Sequence, residues 1–312
     1  MGEDSQSSDA VLMVRPAAFG FNPETAATNV FAAAVATECA VAALAEFDRA
    51  AERLCAAGVD VLVLEDLPDP AKPDAAFPNN WVSFHADGTL ALYPMAAPTR
   101  RLERRVEPLV KLLEARGFAI RRLIDLSAHE KSDRFLEGTG SLVLNRPGRR
   151  AYAALGPRTD RQALAEFDRR LGYSTFTFDA ADATGRPVYH TNVMMSLGTR
   201  FAMLCLDVVA PGQRQALADD IEAGGRSIIE VDYEQLRCFA CNIIELRTPT
   251  GKPLVALSAA SKDCLRADQL GTLERLGGQL VDIAIPTIEA VSGGSLRCMI
   301  ADIHSPRVSR GS

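Results

Sequence analysis

Four segments of the chain combine a residue type that can do chemistry with residues that form turns. Asp74 lies between two prolines, Glu137 precedes a glycine-rich turn, His190 begins an apolar run, and Cys298 follows a Gly-Gly pair. A cysteine and a histidine far apart in sequence can act as nucleophile and base, because only the fold must bring them together. Carboxylates accept hydrogen bonds from planar, nitrogen-rich groups. These residues predict a cysteine hydrolase that acts on a planar carbon bonded to nitrogen.

Each of these segments also has an ordinary structural interpretation. The stretch around Asp74 could be an acidic loop, and the stretch around Glu137 a solvated turn. His190 could be a core histidine at the start of a strand, where alternation would place it on one face with Asn192. Cys298 could be a small buried thiol of the core.

The sequence does not indicate a metal or an organic cofactor. Cys238 and Cys241 form a CxxC pair, but no second pair completes a zinc site, and the pair runs into a strand-like segment. The four histidines lack the close spacing of a metal-binding helix, and neither a GxxxxGKS/T nor a GxGxxG phosphate loop is present. We therefore expect no metal and no cofactor, and a structural role for the CxxC pair.

The composition narrows the classes of partner. The 312 residues are 47% hydrophobic and 24% charged, with a net charge of −6, which is typical of a globular protein. This acidic balance argues against a nucleic-acid partner, which would need a basic face. No apolar run approaches the roughly 20 residues needed to cross a bilayer, and the first ten residues lack the features of a signal peptide. We expect a cytoplasmic protein with a small-molecule substrate and no membrane partner.

Five helical segments, each followed by a glycine and an apolar run, must position the reactive residues. The periodicity predicts helices over residues 37–57, 101–116, 160–171, 211–223 and 261–276, followed by Gly58, Gly117, Gly172, Gly224 and Gly277. Glycine commonly ends a helix because it adopts the left-handed conformation without strain. Two or three strand candidates lie between helices; those after the third helix are 174–178, 193–197 and 201–206. This pattern favours five similar α/β units over a doubly wound sheet.

No proline-rich or low-complexity linker divides the chain. We therefore predict a single domain over residues 11–305. Residues 1–10 are predicted to form a disordered N-terminal tail, and residues 306–312 a C-terminal tail.

Together the four segments resemble the guanidine-modifying, or pentein, superfamily, which includes arginine deiminases, dimethylarginine dimethylaminohydrolases and amidinotransferases. Its pattern of an Asp, a Glu-Gly pair, a His and a C-terminal Cys after a glycine-rich segment reads here as Asp74, Glu137-Gly138, His190 and Cys298. The resemblance covers almost the whole chain. It implies a five-bladed α/β propeller with pseudo-fivefold symmetry, and a homodimer is common among related enzymes.

Within that superfamily the sequence is most similar to the bacterial citrulline hydrolase branch. The similarity lies in the segments Arg15–Ala26, Asp74–Trp81 and His190–Val193. It implies hydrolysis of L-citrulline to ornithine, ammonia and carbon dioxide. Cys298 would be the nucleophile and His190 the acid and base. Glu137 would orient His190 or hold a substrate N–H, and Asp74 would bind the ureido N–H groups.

Further residues are candidates for substrate binding. Asn192 replaces an acid found in many guanidine deiminases, and an amide can donate to a ureido oxygen that a carboxylate would repel. Asn192 is therefore consistent with citrulline, although dimethylarginine hydrolases also lack an acid here. Asn80 belongs to the same predicted site. By similarity to the dimethylarginine hydrolases, Arg100, Arg101 and Arg158 are candidates for binding the substrate α-carboxylate.

Two alternatives remain open. One is an arginine deiminase or dimethylarginine dimethylaminohydrolase that uses the same Cys–His pair on a guanidinium. The other is a catalytically inactive amino-acid-binding protein on the same scaffold.

Overall fold

Strands in the computed structural model, which describes residues 5–33 and 39–308, form five three-stranded sheets. The strands that these ranges contain are β1 (Ala10–Arg15), β2 (Asp60–Glu65), β3 (Val82–Phe84), β4 (Thr89–Leu92), β5 (Arg122–Asp125), β6 (Val143–Asn145), β7 (Arg150–Leu155), β8 (Ser174–Asp179), β9 (Met195–Leu197), β10 (Phe201–Leu204), β11 (Ser227–Glu230), β12 (Ile244–Arg247), β13 (Pro253–Ser258), β14 (Gln279–Ile283) and β15 (Ala301–Asp302). The sheet orders are β15-β1-β2, β3-β4-β5, β6-β7-β8, β9-β10-β11 and β12-β13-β14.

Every sheet repeats one connection pattern. The first strand pairs antiparallel with the middle strand, and the middle strand pairs parallel with the third, as in β3-β4-β5. A helix joins the middle strand to the third, as a parallel crossover requires. In the first sheet the antiparallel strand is β15, from the end of the chain, and its pairing with β1 closes the ring. The prediction of five similar α/β units is confirmed.

The helices of the described residues fall into crossover helices and shorter turns. The crossover helices are α2 (Cys39–Ala56), α4 (Val106–Ala115), α6 (Arg161–Leu171), α8 (Arg214–Ala223) and α11 (Ala267–Gly277). The shorter ones are α1 (Pro23–Ala26), α3 (Pro98–Arg101), α5 (Gly138–Ser141), α7 (Thr191–Met194), α9 (Tyr233–Arg237), α10 (Ala259–Cys264) and α12 (Pro286–Ser292).

The predicted helix bounds need correction at several ends. Residues 37 and 38 of the first predicted helix lie outside the described residues. The helix predicted from residue 101 begins at Val106, and the one predicted over 261–276 is divided into α10 and α11. Gly58, Gly117 and Gly172 have the positive φ expected of helix-ending glycines, but in the last two units the next glycine, Gly225 or Gly278, has it instead.

Helix α6 illustrates why the helices pack on the outside of the ring. Asp160 caps it by accepting hydrogen bonds from the backbone N–H groups of residues 162 and 163. The helix buries Leu164 and Phe167 on one face against the sheet, and burial of such side chains contributes roughly 1.5–3 kcal/mol each. On the other side of the sheets, the first strands meet near the axis, where β3 contacts β15 and β9 contacts both β6 and β12.

The predicted tails are described only over residues 5–10 and 306–308, and their other residues lie outside the described residues. Ser7 and Ser8 are buried, and Ser8 pairs with Leu246 of β12. Gln6 donates from Nε2 to the carbonyl oxygens of Leu144 and Leu197 in two inner strands. At the other end, residues 306–308 bond to the segment around Gly117. The prediction that residues 5–10 and 306–308 belong to tails is therefore wrong, because hydrogen bonds attach them to other parts of the chain.

Within residues 5–33 and 39–308, no helix combines the length and the apolar character that crossing a membrane requires.

A histidine buried near the axis leads to a prediction about acid stability. His304 Nε2 lies 2.8 Å from Asp302 Oδ2, and burial lowers the pKa of His304 to about 4, with the charge of Arg146 acting in the same direction. An unfolded chain binds this proton near pH 6.5, so the contribution of neutral His304 is present above pH 6.5 and is lost as the pH falls towards 4. We measure by urea unfolding how much the free energy of unfolding falls between pH 7.5 and pH 5.0. The fall should be smaller in His304→Gln than in the wild type, by on the order of 2 kcal/mol. Equal losses in both proteins would contradict this assignment.

Candidate active site

The reactive residues lie in segments that lead into the inner strands. Glu137 precedes α5, His190 precedes α7, and Cys298 lies in the 3₁₀ turn Leu296–Met299 before β15. Asp74 lies shortly before the 3₁₀ turn Pro78–Asn80 that leads into β3. Asp74, His190 and Cys298 line one small cavity. The ring thus brings together residues that are more than 200 positions apart in sequence.

Glu137 holds His190 from behind. Glu137 Oε2 lies 2.8 Å from His190 Nε2 and 3.4 Å from Arg158 Nη1, and the backbone N–H of Ala96 donates to Oε1. Glu137 is fully buried and does not line the cavity. Of the two roles considered for Glu137, this position favours orientation of His190 over contact with substrate.

The environment sets opposite charge states for this pair. Burial lowers the pKa of His190 to about 4, although the hydrogen bond to Glu137 opposes the shift. Burial also raises the pKa of Glu137, but the charge of Arg158 and the bond to His190 outweigh it and hold that pKa below its usual range. The site therefore contains a neutral imidazole beside a carboxylate, and a neutral imidazole can accept a proton from a thiol.

The expected strand at His190 is not formed. His190 has extended backbone angles, but residues Thr191–Met194 form a helical turn and β9 begins only at Met195. Thr191 Oγ1 donates to the carbonyl oxygen of Ser141 and accepts from the N–H of Ala154, so this side chain bonds to the neighbouring unit. Such side-chain bonds compete with strand pairing. His190 and Asn192 therefore do not share a strand face, and the prediction that they do is wrong.

Asn192 contacts the sulfur atom of Cys298 and does not line the cavity that Asp74, His190 and Cys298 share. Its Nδ2 atom lies 3.6 Å from Cys298 Sγ, while the residue lines a second cavity along the axis. The geometric basis for direct contact between Asn192 and a ureido group is therefore lost. Asn192 lies behind the nucleophile because the helical turn rotates it away from the direction of His190.

Asn242 was not identified from the sequence. It is fully buried, its Nδ2 atom lies 3.3 Å from Cys298 Sγ, and the same nitrogen donates to the backbone oxygen of Asn192 at 3.1 Å. Asn242 lies just before β12, the inner strand of the fifth sheet. The repeat itself was the available signal, since each of the other units carries a site residue shortly before its inner strand.

Asp74 is held by the N-terminal part of the chain. Its Oδ2 atom accepts hydrogen bonds from Asn22 Nδ2 at 2.8 Å and from Thr25 Oγ1 at 3.1 Å. Asp74 is 4% exposed and has no ion-pair partner among the described residues. It therefore presents to the cavity a carboxylate that accepts hydrogen bonds from two neutral side chains and interacts electrostatically with Arg100.

Two of the three candidate arginines line the cavity. Arg158 donates to Thr25 O and Thr28 Oγ1, and Arg100 forms a bidentate pair with Glu103, whose pKa burial raises to about 7. Arg101 does not line the cavity.

The placement of Arg101 corrects a prediction. Its guanidinium donates to the backbone oxygens of Met95 and Ala96 and lies 3.6 Å from Glu130. Arg100 and Arg101 are consecutive in the short helix α3, where successive side chains differ by about 100° in direction. The two arginines therefore cannot both face the cavity.

Asn80 lines the cavity and has a side-chain donor without a partner. Arg100 Nη1 donates to Asn80 Oδ1 at 2.6 Å, and because a guanidinium can only donate, this bond fixes the orientation of the amide. Asn80 Nδ2 is buried and has no hydrogen-bond partner in residues 5–33 and 39–308. A buried donor without a partner is costly unless a ligand or water supplies an acceptor.

The CxxC pair is divided between surface and core. Cys238 is exposed and Cys241 is buried, and burial raises the pKa of Cys241 well above its usual value, which disfavours a thiolate there. In the part of the chain that the structure describes, no group of three or more His, Cys, Asp or Glu residues could hold a metal ion.

The sequence profile of the family described as N,N dimethylarginine dimethylhydrolase, eukaryotic, matches residues 15–305. The chain belongs to this family. No curated protein matches it in sequence.

Solved structures show that the chain has the pentein fold. The apo structure of ArgZ, an arginine dihydrolase from the ornithine–ammonia cycle in cyanobacteria, is 15% identical with a TM-score of 0.72, over 96% of this chain and 41% of that one. The N-terminal domain of an ArgZ mutant, bound to substrate, is 15% identical with a TM-score of 0.71, over 95% of this chain and 98% of that one. The adduct of a dimethylarginine dimethylaminohydrolase mutant with S-methyl-L-thiocitrulline is 14% identical with a TM-score of 0.64, over 94% of this chain and 99% of that one. The chain thus spans about two fifths of full-length ArgZ, and the predicted five-bladed α/β propeller is confirmed.

A close approach at Gly140 gives a prediction about site assembly. A Cβ atom there would lie 2.4 Å from Asn80 Nδ2 and 2.8 Å from His190 Nδ1, so Gly140→Ala must displace one of these side chains. We expect a loss of turnover of at least tenfold and a destabilisation of about 1–3 kcal/mol. Steady-state kinetics and urea unfolding measure the two effects.

Gly271 provides the matched control for this substitution. No atom lies within 4 Å of a Cβ built at Gly271 in helix α11, so Gly271→Ala should leave turnover unchanged. Normal turnover in Gly140→Ala would show that the contact of Asn80 and His190 at this point has no role.

Proposed function

We propose that the protein is a cysteine hydrolase that converts L-citrulline to ornithine, ammonia and carbon dioxide. The observation that carries the proposal is the buried Nδ2 donor of Asn80, which has no hydrogen-bond partner among the described residues and belongs to a residue that lines the cavity. A ureido group offers a carbonyl oxygen as an acceptor for this N–H, whereas a guanidinium offers only donors. The chemistry of the cavity therefore favours a ureido group over a guanidinium.

The charges around the cavity support the same substrate. Of the two carboxylates, Glu137 is already paired with Arg158 and His190, whereas Asp74 accepts hydrogen bonds from neutral side chains and interacts with Arg100 only at longer range. A cationic guanidinium gains most from two free carboxylates that flank it. One free carboxylate is sufficient to accept N–H bonds from a neutral ureido group.

The sequence segments that resemble citrulline hydrolases are also those that form the cavity. Thr25 comes from the first segment, Asp74 and Asn80 from the second, and His190 from the third. Their shared position at the site supports a substrate like that of the enzymes they resemble.

The proposed reaction begins with attack of the Cys298 thiolate on the ureido carbon, which forms an S–C bond. The C–N bond to the leaving nitrogen then breaks, and His190 supplies the proton that this nitrogen takes. Water, deprotonated by His190, attacks the remaining S–C centre, and the S–C bond breaks to release the thiolate and a carbamate. The carbamate takes up a proton and loses carbon dioxide, which breaks the second C–N bond and frees the other nitrogen. In total, citrulline and one water give ornithine, ammonia and carbon dioxide, with Cys298 restored.

The other residues of the cavity would bind and orient the substrate. Asp74 accepts ureido N–H bonds, and Asn80 donates to the oxygen, whose negative charge grows as the sulfur attacks. Arg100 and Arg158 are the two candidates that remain for the α-carboxylate, since both line the cavity.

A guanidinium substrate is the second candidate. The family match to dimethylarginine dimethylhydrolases and the fold shared with the arginine dihydrolase ArgZ favour it. The same Cys298 and His190 would serve either reaction.

A substrate panel separates these candidates. The purified protein and its Cys298→Ala variant are incubated with L-citrulline, L-arginine or Nω,Nω-dimethyl-L-arginine, and the products are measured by mass spectrometry. Ornithine and ammonia formed from citrulline by the wild type alone support the proposal. Citrulline formed from arginine, or dimethylamine from dimethylarginine, assigns the guanidinium reactions. Thermal stabilisation by citrulline without any product would identify a binding protein.

Asn80 gives a specificity prediction for the same panel. Asn80→Asp replaces the free donor by a carboxylate that still pairs with Arg100. We expect the ratio of kcat/KM for citrulline to that for arginine to fall by about 10- to 100-fold, the scale of one charge-assisted hydrogen bond. An unchanged ratio would show that Asn80 does not bind the ureido oxygen.

A further inference from the structure

We propose that Asn242, with Asn192, forms an amide cradle that stabilises the thiolate of Cys298, so that Asn242 is a further catalytic residue. The inference rests on the proposed function in that it takes Cys298 as the nucleophile. It adds a residue that the motifs singled out in the sequence do not include and that does not line the substrate cavity.

The first argument for the cradle comes from the contacts of the Cys298 sulfur atom. Asn242 Nδ2 lies 3.3 Å and Asn192 Nδ2 3.6 Å from Cys298 Sγ, and all three residues are at most 4% exposed. Asn242 Oδ1 lies 3.6 Å from the same sulfur and can accept from the thiol when it is protonated, but the donor nitrogen is nearer. Sulfur is a weak acceptor as a thiol, but an anionic sulfur accepts strong, charge-assisted hydrogen bonds. Two buried N–H donors aimed at one sulfur therefore favour the anion, which is the attacking species.

The position of Asn242 is fixed by the turn that contains it. The backbone N–H of Asn242 donates to the carbonyl oxygen of Phe239 at 2.8 Å, and Phe239 has a left-handed φ of 60°. Its Nδ2 atom also bonds to the backbone oxygen of Asn192. Because the amide is held at both ends, little reorganisation is needed when the sulfur becomes charged.

The fivefold repeat gives independent support. Asn80, Glu137, His190 and Cys298 each lie in the segment before the inner strand of one unit. Asn242 occupies this place in the remaining unit, two residues before β12. All five units therefore direct a polar side chain towards the same centre.

Other charged and ionisable groups also act on this sulfur. Arg297 and Tyr189 interact with it electrostatically, and the groups that line its cavity are Asp74, Arg100, Arg158 and His190. None of them is altered when Asn242 is replaced. A difference between variants thus reports the contribution of the amide itself.

Alkylation by iodoacetamide tests the cradle without any substrate. The thiolate displaces iodide, an S–C bond replaces the C–I bond, and peptide mapping by mass spectrometry gives the rate at Cys298 alone. The rate is measured from pH 5 to 10 in the wild type, Asn242→Ala, Asn242→Asp and Asn192→Ala. Exposed Cys55 in the same samples is the internal reference.

We expect Asn242→Ala to slow alkylation of Cys298 at pH 7 by about tenfold and to move the midpoint of the profile to higher pH. Asn242→Asp places a negative charge in the same position and should slow it by about 100-fold. The control Asn145→Asp makes the same change at a buried amide that accepts from Arg226. It should leave the profile of Cys298 unchanged.

Unchanged Cys298 profiles in folded Asn242 variants would overturn the proposal and leave these contacts with a packing role. Thermal unfolding identifies variants that do not fold. If the Asn242 variants do not fold, Asn192→Ala is the test: a shifted alkylation profile of Cys298 supports the cradle, and an unchanged profile overturns it. If the profiles shift but the wild type turns over none of the three substrates, the proposed function fails and the thiolate cradle stands.

Discussion

Replacing Cys298 with alanine is expected to reduce turnover by about 10⁴-fold or more while the protein stays folded. The thiol supplies the covalent route, and no other cysteine lines the cavity formed by the described residues. Alanine keeps the Cβ atom and removes only the sulfur, whose hydrogen bonds are long contacts with the amides of Asn192 and Asn242. Single-turnover assays with citrulline measure the loss, and urea unfolding shows that the fold persists.

Cys55→Ala is the matched control for this variant. Cys55 is exposed on helix α2, so its replacement removes a thiol without touching the site. Its turnover should equal that of the wild type. Near-normal turnover in Cys298→Ala would remove the sulfur from the mechanism and, with it, the hydrolase proposal in its present form.

Replacing His190 with glutamine is expected to reduce kcat by about 10²–10⁴-fold, the usual contribution of a positioned acid–base group. Glutamine has a similar length and can still donate to Glu137, so that the buried carboxylate stays paired with both the amide and Arg158. It cannot exchange a proton at neutral pH. The KM for citrulline should change much less than kcat, because Asp74 and Asn80 remain in place.

A double-mutant cycle with Glu137 tests how the two side chains act together. If Glu137 works only by orienting His190, Glu137→Gln should lower kcat in the wild type but have little further effect in His190→Gln. Fully additive losses would contradict an orienting role. His129→Gln serves as the control, because His129 bonds Glu166 away from the cavity. Turnover in His190→Gln within a few-fold of the wild type would exclude this imidazole as the acid and base.

The repeated architecture was predictable from local signals. Helix periodicity followed by glycine recurs in each unit, and local backbone preferences are sufficient to produce it. The periodicity did not predict which of two adjacent glycines ends the helix in the last two units. There Gly225 and Gly278, which follow Gly224 and Gly277, have the positive φ. The choice between adjacent glycines depends on packing against the rest of the unit.

Side-chain directions were less predictable than residue identities. The sequence placed Asn192 beside His190 on a strand and assigned both Arg100 and Arg101 to substrate. The structure has a helical turn at each place, which turns Asn192 towards the sulfur and Arg101 towards Glu130. Short helical turns of four residues have too few residues to show a period, so tertiary contacts such as that of Thr191 decide them.

The sequence by itself determined the reactive residue types, the number of units and the order in which Asp74, Glu137, His190 and Cys298 occur, because these depend on local composition and spacing. Only the tertiary structure decided which atoms meet. The pairing of β15 with β1 closes the ring and brings a segment from each unit to one centre, where Asn242 reaches the sulfur and Asn80 keeps a free donor. Such contacts join residues far apart in the chain, and the hydrogen bonds that fix them exist only after the five units have packed together.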